Sequence, residues 1–393
     1  MILCAMGGQE NKPALYDLVI QGGKIIDPSQ NLEAVRDVAI ASGKIACIEP
    51  EIFAGRTRRV IRAAGMIVTP GLIDVHTHVF PFTGPYGIEA DPACVCRGVT
   101  TVVDAGTSGA FTFPAFKHYE IERSQTRIRA LLHVAAIGMV AGGTPDMGEL
   151  EDLRYCAPKL AVEQARAHPG VIVGFKLRVS GQYAGENDLE GMRRAREAAD
   201  EAGLPLMIHI GGSHSPLRRF LSLMKKGDIV THCFNARSES LLDAGGKVRA
   251  EVLAARERGV KFDVGHGAGS FSFDIAERCL EQGFPPDTIS TDLYAANVNG
   301  PVWDLPTTLS KFLLLGMDLP DVIRRATVDA AAAFDFGEKI GSLKPGSEAD
   351  VSVFEVCEGN FAFEDTEGGT RQGRAMLKPV VTVRAGRECY PQG

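Results

Sequence analysis

The chain lacks the features that would place it in several large classes. Nine cysteines in 393 residues, at 4, 47, 94, 96, 156, 233, 279, 357 and 389, are odd in number and show no framework spacing. They argue against a disulfide scaffold and for a reducing compartment. No second pair follows Cys94 and Cys96, so buried thiols are expected there rather than a zinc knuckle. No apolar run reaches the roughly 18 residues of a spanning helix. The opening MILCAMGGQENKPALYD has no basic n-region and only a short, broken apolar stretch. No signal peptide is expected from it, and the expected address is the cytoplasm. Basic residues are not in excess: 42 Lys and Arg against 49 Asp and Glu leave −7, which argues against a nucleic-acid partner. Glycine (44) and proline (21) fall short of a fibrous or low-complexity chain. What is present is a globular composition, 45% hydrophobic and 23% charged. The length allows about two to four domains.

The two ends resemble each other. YDLVIQGGKIIDPSQ and VRDVAIASGKIACIEP each place a β-rich run on either side of a Gly-Lys turn, and EADVSVFEV and PVVTVRAGRE near the C-terminus are strand-like. Residues 1–67 and 342–393 are thus expected to form one small β-sandwich. Between them, over 68–341, short apolar runs alternate with helical stretches such as LEGMRRAREAADEAG. That pattern indicates a parallel sheet buried on both faces. Eight runs can be counted, stopping at His76, Asp104, Gly138, Lys176, His209, His232, His266 and Asp292, in steps of 23 to 38 residues. The fold class expected is α/β, a (β/α)8 barrel inserted in the terminal sandwich. The competing doubly wound sheet would want a phosphate turn, and PGLIDVHTHVF has no G-x-G-x-x-G.

The C-terminal ends of barrel strands carry the chemistry. Five of the nine histidines (76, 78, 209, 232, 266) fall at such ends. A single one would ordinarily be a satisfied core histidine, but five on one rim argue for function. His76 and His78 alternate by two on a strand and so point to one side, an arrangement that suits Zn2+ or a similar ion. Lys176 ends the apolar strand VGFKL, where an amine must snorkel, pair or lose its charge. A neutral amine there could take up CO2 as a carbamate and become an anionic ligand. His209 and His232, at consecutive strand ends, would bind a second ion. Asp292 ends the eighth strand beside the first. Loop residues offer substrate contacts: Ser213 and His214 in GGSHSP, His266 and Ser270 in GHGAGSFSF, then Tyr294, Asn297 and Asn299. Arg178 would point the same way as Lys176 and could bind a substrate carboxylate. His118, His133 and His168 receive no role.

Together, PGLIDVHTH, GFK, single histidines at strands five and six, TD at strand eight and the exit IGSLKPGSEADVSVFE resemble the amidohydrolase superfamily, in its binuclear, carboxylated-lysine form. The resemblance covers nearly the whole chain beyond residue 15. It implies that His76, His78 and Asp292 hold one divalent ion and that His209 and His232 hold the other. It further implies that the Lys176 carbamate and a hydroxide bridge the two. The hydroxide attacks a carbonyl and Asp292, the catalytic residue, relays its proton to the leaving group. Zinc suits these ligands, and Mn2+, Co2+ or Fe2+ would fit them. The mononuclear deaminases of the superfamily lack the lysine. Dihydroorotases carry Arg two residues after H-x-H, where this chain has Phe80, and the tyrosine loop of hydantoinases is not evident in GMVAGGTPDMGELEDL. The closer resemblance is to dihydroorotase-like deacetylases. It implies cleavage of a small N-acyl amino acid or O-acetylated 2-hydroxy acid. The alternatives are a cyclic amide hydrolase and, in another class, a non-catalytic amidohydrolase-like scaffold. The implied partner is a small-molecule substrate, with neither nucleic acid nor membrane, and a homo-oligomer is compatible with the sequence.

Overall fold

The computed structural model describes residues 15–53, 55, 57–142 and 147–391. Cys4, the first fourteen residues of the opening segment and residues 143–146 of the loop after the third barrel strand lie outside this range. The eight described cysteines are free. No described helix is long and apolar enough to cross a membrane.

Two sheets organise the chain. The mixed sheet draws on both ends: β1 (Leu18–Asp27), β2 (Leu32–Ala41), β3 (Lys44–Glu49), β4 (Val60–Arg62) and β5 (Ile67–Pro70) join β13 (Val351–Glu364), β14 (Thr370–Arg384) and β15 (Arg387–Cys389). Its order is β15-β14-β13-β5-β1-β2-β3, with β4 alongside β1. Leu18, Ile20, Val38, Ile40, Val68, Val351, Val353 and Val383 share its core. One expected turn is absent. Ser42-Gly43 does turn β2 into β3, but β1 runs straight through Gly22-Gly23-Lys24 with only a register shift. A side chain on Gly23 would meet Val68 Cγ2 at 2.4 Å. The missing Cβ therefore serves close packing of β5 rather than a hairpin.

The parallel sheet contains β6 (Leu72–Thr77), β7 (Val99–Gly109), β8 (Arg127–His133), β9 (Ile172–Arg178), β10 (Leu206–His209), β11 (Ile229–Thr231) and β12 (Lys261–Phe262), paired in sequence order. The eighth run, ISTDL, closes the ring without becoming a regular strand. Isolated parallel bridges join Asp263 to Thr288 and Thr77 to Leu293. Backbone amides of His266, Gly267 and His78 complete the seam on Ser290, Thr291 and Leu293 carbonyls. Asp74 anchors the segment, accepting from Thr291 N at 3.1 Å and Thr291 Oγ1 at 2.5 Å. Ile67–Pro70 pairs with β1 and β13, so the passage from mixed sheet to barrel falls at Gly71 rather than at residue 68. Likewise β8 stops at His133, short of Gly138.

Burial follows the logic of a parallel barrel. Every residue of β6, β7 and β9 is buried. Val75, Val103, Ala105, Leu131, Met207 and Ile229 cluster with Ala330, Phe334 and Ile340 beneath the strands. A separate, larger core joins the sheet to its outer helices. The long β13–β14 hairpin packs on the helix Leu305–Leu314, and Leu377 N donates to Ser310 Oγ at 2.9 Å. Arg127, at the start of β8, pairs with Glu348 and with Asp350 at 2.6 Å, tying barrel to mixed sheet.

Candidate metal centre and active site

Four imidazoles, one amine and one carboxylate meet at the C-terminal rim of the barrel. His76 Nε2 stands 3.3 Å and His78 Nε2 2.9 Å from Asp292 Oδ1. The donor atoms of these three buried residues lie within 4.8 Å of one another. Lys176 Nζ is 3.0 Å from His76 Nε2. His232 follows, its ring 5.1 Å from that of His76 and 4.2 Å from that of His209. All six residues of the expected ligand set are thereby brought together.

The chain fixes which nitrogen each imidazole presents. His76 Nδ1 lies 2.8 Å from Thr231 Oγ1, which donates its own proton to Asp263 Oδ2 at 2.8 Å. The hydroxyl can then only accept from His76, so the imidazole proton sits on Nδ1 and the Nε2 lone pair faces inward. His78 repeats the device through Thr107 Oγ1 at 2.8 Å, which donates to Asp104 Oδ2 at 2.8 Å. His232 Nδ1 donates to Gly265 O at 2.6 Å, and its buried Nε2 has no hydrogen-bond partner. Burial holds His76 and His209 well below the usual imidazole range and His232 at about 4, so they are neutral at pH 7. Two lone pairs thus point at one carboxylate oxygen from within hydrogen-bond distance. Such a set is matched to a cation among its donors.

Backbone shape serves the same end. His232 and Asp292 adopt φ of 67° and 50°, left-handed values that cost non-glycine residues about 1–3 kcal/mol and mark functional turns. Gly265, at φ 48°, is needed outright, since a Cβ there would lie 2.2 Å from Thr231 Oγ1 and 3.0 Å from both His232 Nδ1 and His76 Nδ1. Burial pushes the Lys176 amine down to about 7, against the opposing pull of Asp292 and Asp263. A neutral, nucleophilic amine is therefore populated at neutral pH.

The cavity above these donors holds about 60 Å3. Tyr86, Met139, Arg178, Tyr183, Arg237, Ser270 and Tyr294 complete its wall. Of the expected substrate contacts, Tyr294, Arg178 and Ser270 line it, but Arg178 is not free. Its Nε and Nη2 each donate to Glu149 carboxylate oxygens at 2.6 Å, its Nη1 reaches Tyr86 Oη at 3.1 Å, and it stacks 3.4 Å over the Tyr183 ring. His266 is misplaced by the expectation: its ring stacks on Phe271, and its Nε2 accepts from buried Lys311 Nζ at 2.7 Å. That lysine also donates to Pro301 O and Glu364 O, so His266 belongs to the hairpin contact rather than to the cavity. Ser213 Oγ donates to Ser215 O outside the cavity. Buried Asn297 braces the loop, donating to Asp292 O at 2.8 Å and accepting from Tyr294 N at 2.8 Å. His214 and Asn299 are exposed beyond it. Phe80 is in the core, stacked 4.7 Å from Phe116, so that position presents nothing to a substrate.

Sequence reasoning missed Glu149, Tyr86, Tyr183 and Arg237, as well as the Thr-Asp relays. His133, given no role, stands with its Nε2 3.2 Å from Glu149 Oε1. Only the relay aspartates had a signal, acids at strand ends (Asp104, Asp263). Glu149, Tyr86 and Arg237 sit on loops and Tyr183 on the one-turn helix Gly181–Ala184, segments whose course sequence patterning does not reveal.

A closed parallel barrel carried by a sheet from both chain termini, with this rim of donors, defines a barrel hydrolase. Residues 67–381 match the family model described as the Amidohydrolase family, and the chain belongs to that family. A deacetylase of Enterococcus faecalis is 34% identical over 376 residues, covering 95% of this chain and 98% of that protein. A solved structure described as an adenine deaminase superposes with a TM-score of 0.88 at 34% identity, over 95% of this chain and 99% of that one. One described as a dihydroorotase gives 0.87 at 30% identity, over 95% and 99%.

Proposed function

We propose that the protein is a metal-dependent deacetylase that removes the acyl group from a small N-acyl amino acid or O-acetylated 2-hydroxy acid. The observation that carries this is the convergence of the His76 and His78 Nε2 lone pairs, Lys176 and Asp292 on one wall of a small cavity. The full-length similarity to a deacetylase supports the choice within the family. Phe80, buried where dihydroorotases hold their arginine, speaks against a dihydroorotate site. The proposed address is the cytoplasm, where the free cysteines stay reduced.

His76, His78 and Asp292 would hold one divalent ion, His209 and His232 the other, and Lys176, as its carbamate, both. Zinc is the ion best suited to this set. Such ions supply Lewis acidity toward a carbonyl oxygen and a bound water acidic enough to ionise near neutral pH. The chain does the rest. The neutral Lys176 amine attacks CO2, forming an N–C bond and releasing one proton. Asp292, its side chain 12% exposed toward the cavity, receives the proton of the attacking water and returns it to the departing nitrogen or oxygen. The Thr-Asp relays fix the tautomer and orientation of His76 and His78, so that Nε2 is the nitrogen presented to an ion. Tyr86, Tyr183 and Tyr294 line the cavity beside these donors and give it an aromatic wall.

Zinc-loaded protein is to be offered acetylated D- and L-amino acids, acetylated 2-hydroxy acids, adenine, dihydroorotate and hydantoin, with acetate or ammonia release measured. Acetate release from one acetylated class, well above the other compounds, is expected. Faster turnover of dihydroorotate, hydantoin or adenine would refute the reading.

A further inference from the structure

We propose that Arg237 is the residue that recognises a free carboxylate on the substrate, so that the enzyme selects acylated acids over neutral amides and esters. This rests on the deacetylase reading and adds to it the group that sets selectivity.

Three basic side chains line the cavity: Lys176, Arg178 and Arg237. Lys176 is buried among the imidazoles at the floor. The Arg178 charge is cancelled at short range by Glu149, whose two oxygens both engage it, and the Tyr183 ring covers its face. Arg237 is different. It lies exposed at the mouth and makes no ion pair with any described residue. Its Nε donates to Gly269 O at 3.1 Å, which orients the guanidinium and leaves both terminal amino groups without a described acceptor. Those two groups are the fork that binds a carboxylate bidentately.

The position of Arg237 is set by the metal-site residues themselves. It follows β11 in the turn HCFNAR, five residues after His232. Buried Asn235 clamps that turn, donating to His232 O at 2.8 Å and accepting from Arg237 N at 3.0 Å. The arginine is therefore registered to the edge of the site that His209 and His232 form. Gly269 makes room for it, since a Cβ at that position would lie 2.8 Å from Arg237 Nη2. Among the described residues of the cavity wall, Asp292 is the only carboxylic acid. An anionic substrate thus meets one uncompensated cation at the mouth. In both acetylated amino acids and acetylated 2-hydroxy acids the carboxylate lies two bonds from the acylated atom. It can reach the mouth while the acyl group enters.

The test compares kcat/KM for an acetylated amino acid or hydroxy acid with that for its methyl ester, on the metal-loaded enzyme. Wild type should prefer the acid. Arg237→Met should collapse that preference by roughly 10–100-fold, chiefly through KM for the acid. Arg237→Lys, which keeps the charge but not the fork, should restore part of it. Gly269→Ala, which displaces the guanidinium without removing it, should shift the ratio in the same direction. The acid's KM should rise with salt in wild type and hardly at all in Arg237→Met. A wild type that turns over esters as well as acids, or an Arg237→Met that weakens both equally, overturns the assignment and leaves deacetylation standing. Failure of every acetylated compound alongside turnover of adenine or dihydroorotate overturns the deacetylase reading, and this assignment with it.

Discussion

The pairing of Arg178 with Glu149 makes a demanding prediction, because both groups are buried and each satisfies the other. Two charge-assisted hydrogen bonds of 2.6 Å join them. Burial by itself would raise the Glu149 carboxyl, but the Arg178 guanidinium outweighs it and holds the group at about 2. Removing either partner strands a charge in a dry wall. Arg178→Met or Glu149→Leu alone should cost about 3–5 kcal/mol. With an unfolding entropy near 2.1 cal/mol/K per residue, a cooperative loss of about 4 kcal/mol lowers Tm by roughly 5 °C. The double variant Arg178→Met/Glu149→Leu should recover more than half of that loss, since an apolar pair replaces an ion pair of similar volume. The folded carboxyl pKa lies below the unfolded one. Its stabilisation is therefore complete above about pH 4.5 and disappears as pH falls from there toward 2, a span worth about 3 kcal/mol. Glu149→Gln should lack that acid-side slope. Urea unfolding at pH 7, 5 and 4 reads all four variants. Singles that lose less than about 1 kcal/mol, or a double variant as unstable as the sum of the singles, would refute the argument.

Lys176→Ala should lower bound metal from about two ions per chain toward one and abolish turnover, as read by elemental analysis and acetate release. Full activity with full metal would eliminate the carbamate. Asp263→Asn should loosen the Thr231 relay to His76 and weaken metal affinity about 10–100-fold in a chelator competition, with the fold retained by circular dichroism. Gly265→Ala should destabilise the protein by at least about 2 kcal/mol and prevent metal uptake, because the new Cβ would overlap Thr231 Oγ1 at 2.2 Å. Phe80→Arg should lower Tm without producing dihydroorotate turnover, since that side chain faces Phe116 and the core. Gain of that activity would show that the position reaches the substrate after all.

Much of this molecule was legible in one dimension. Apolar runs that stop at a polar residue recur at the interval of a βα unit, and burial on both faces follows from that pattern alone. The six donors were legible for the same reason: histidine, lysine and aspartate are out of place at the ends of buried strands, and strand ends of a barrel share one rim. The sheet contributed by both termini was legible from β-rich patterning, although the Gly-Lys pair at 23–24 turned out to be a packing device within β1.

The sequence by itself therefore determined the barrel and the kinds of atom on its rim. Side-chain periodicity and burial are local properties of the chain. Tertiary structure alone decided which charges are free. Arg178 and Arg237 look alike in sequence. Glu149, from a different loop, silences the first, and nothing described pairs with the second. His266 resembled the other rim histidines until the helix Leu305–Leu314 brought Lys311 against it. The outcomes at Arg178 and His266 depend on partners 29 and 45 residues away. Electrostatic pairing over such separations is set by loop paths and helix packing, which leave no periodic signature in the chain.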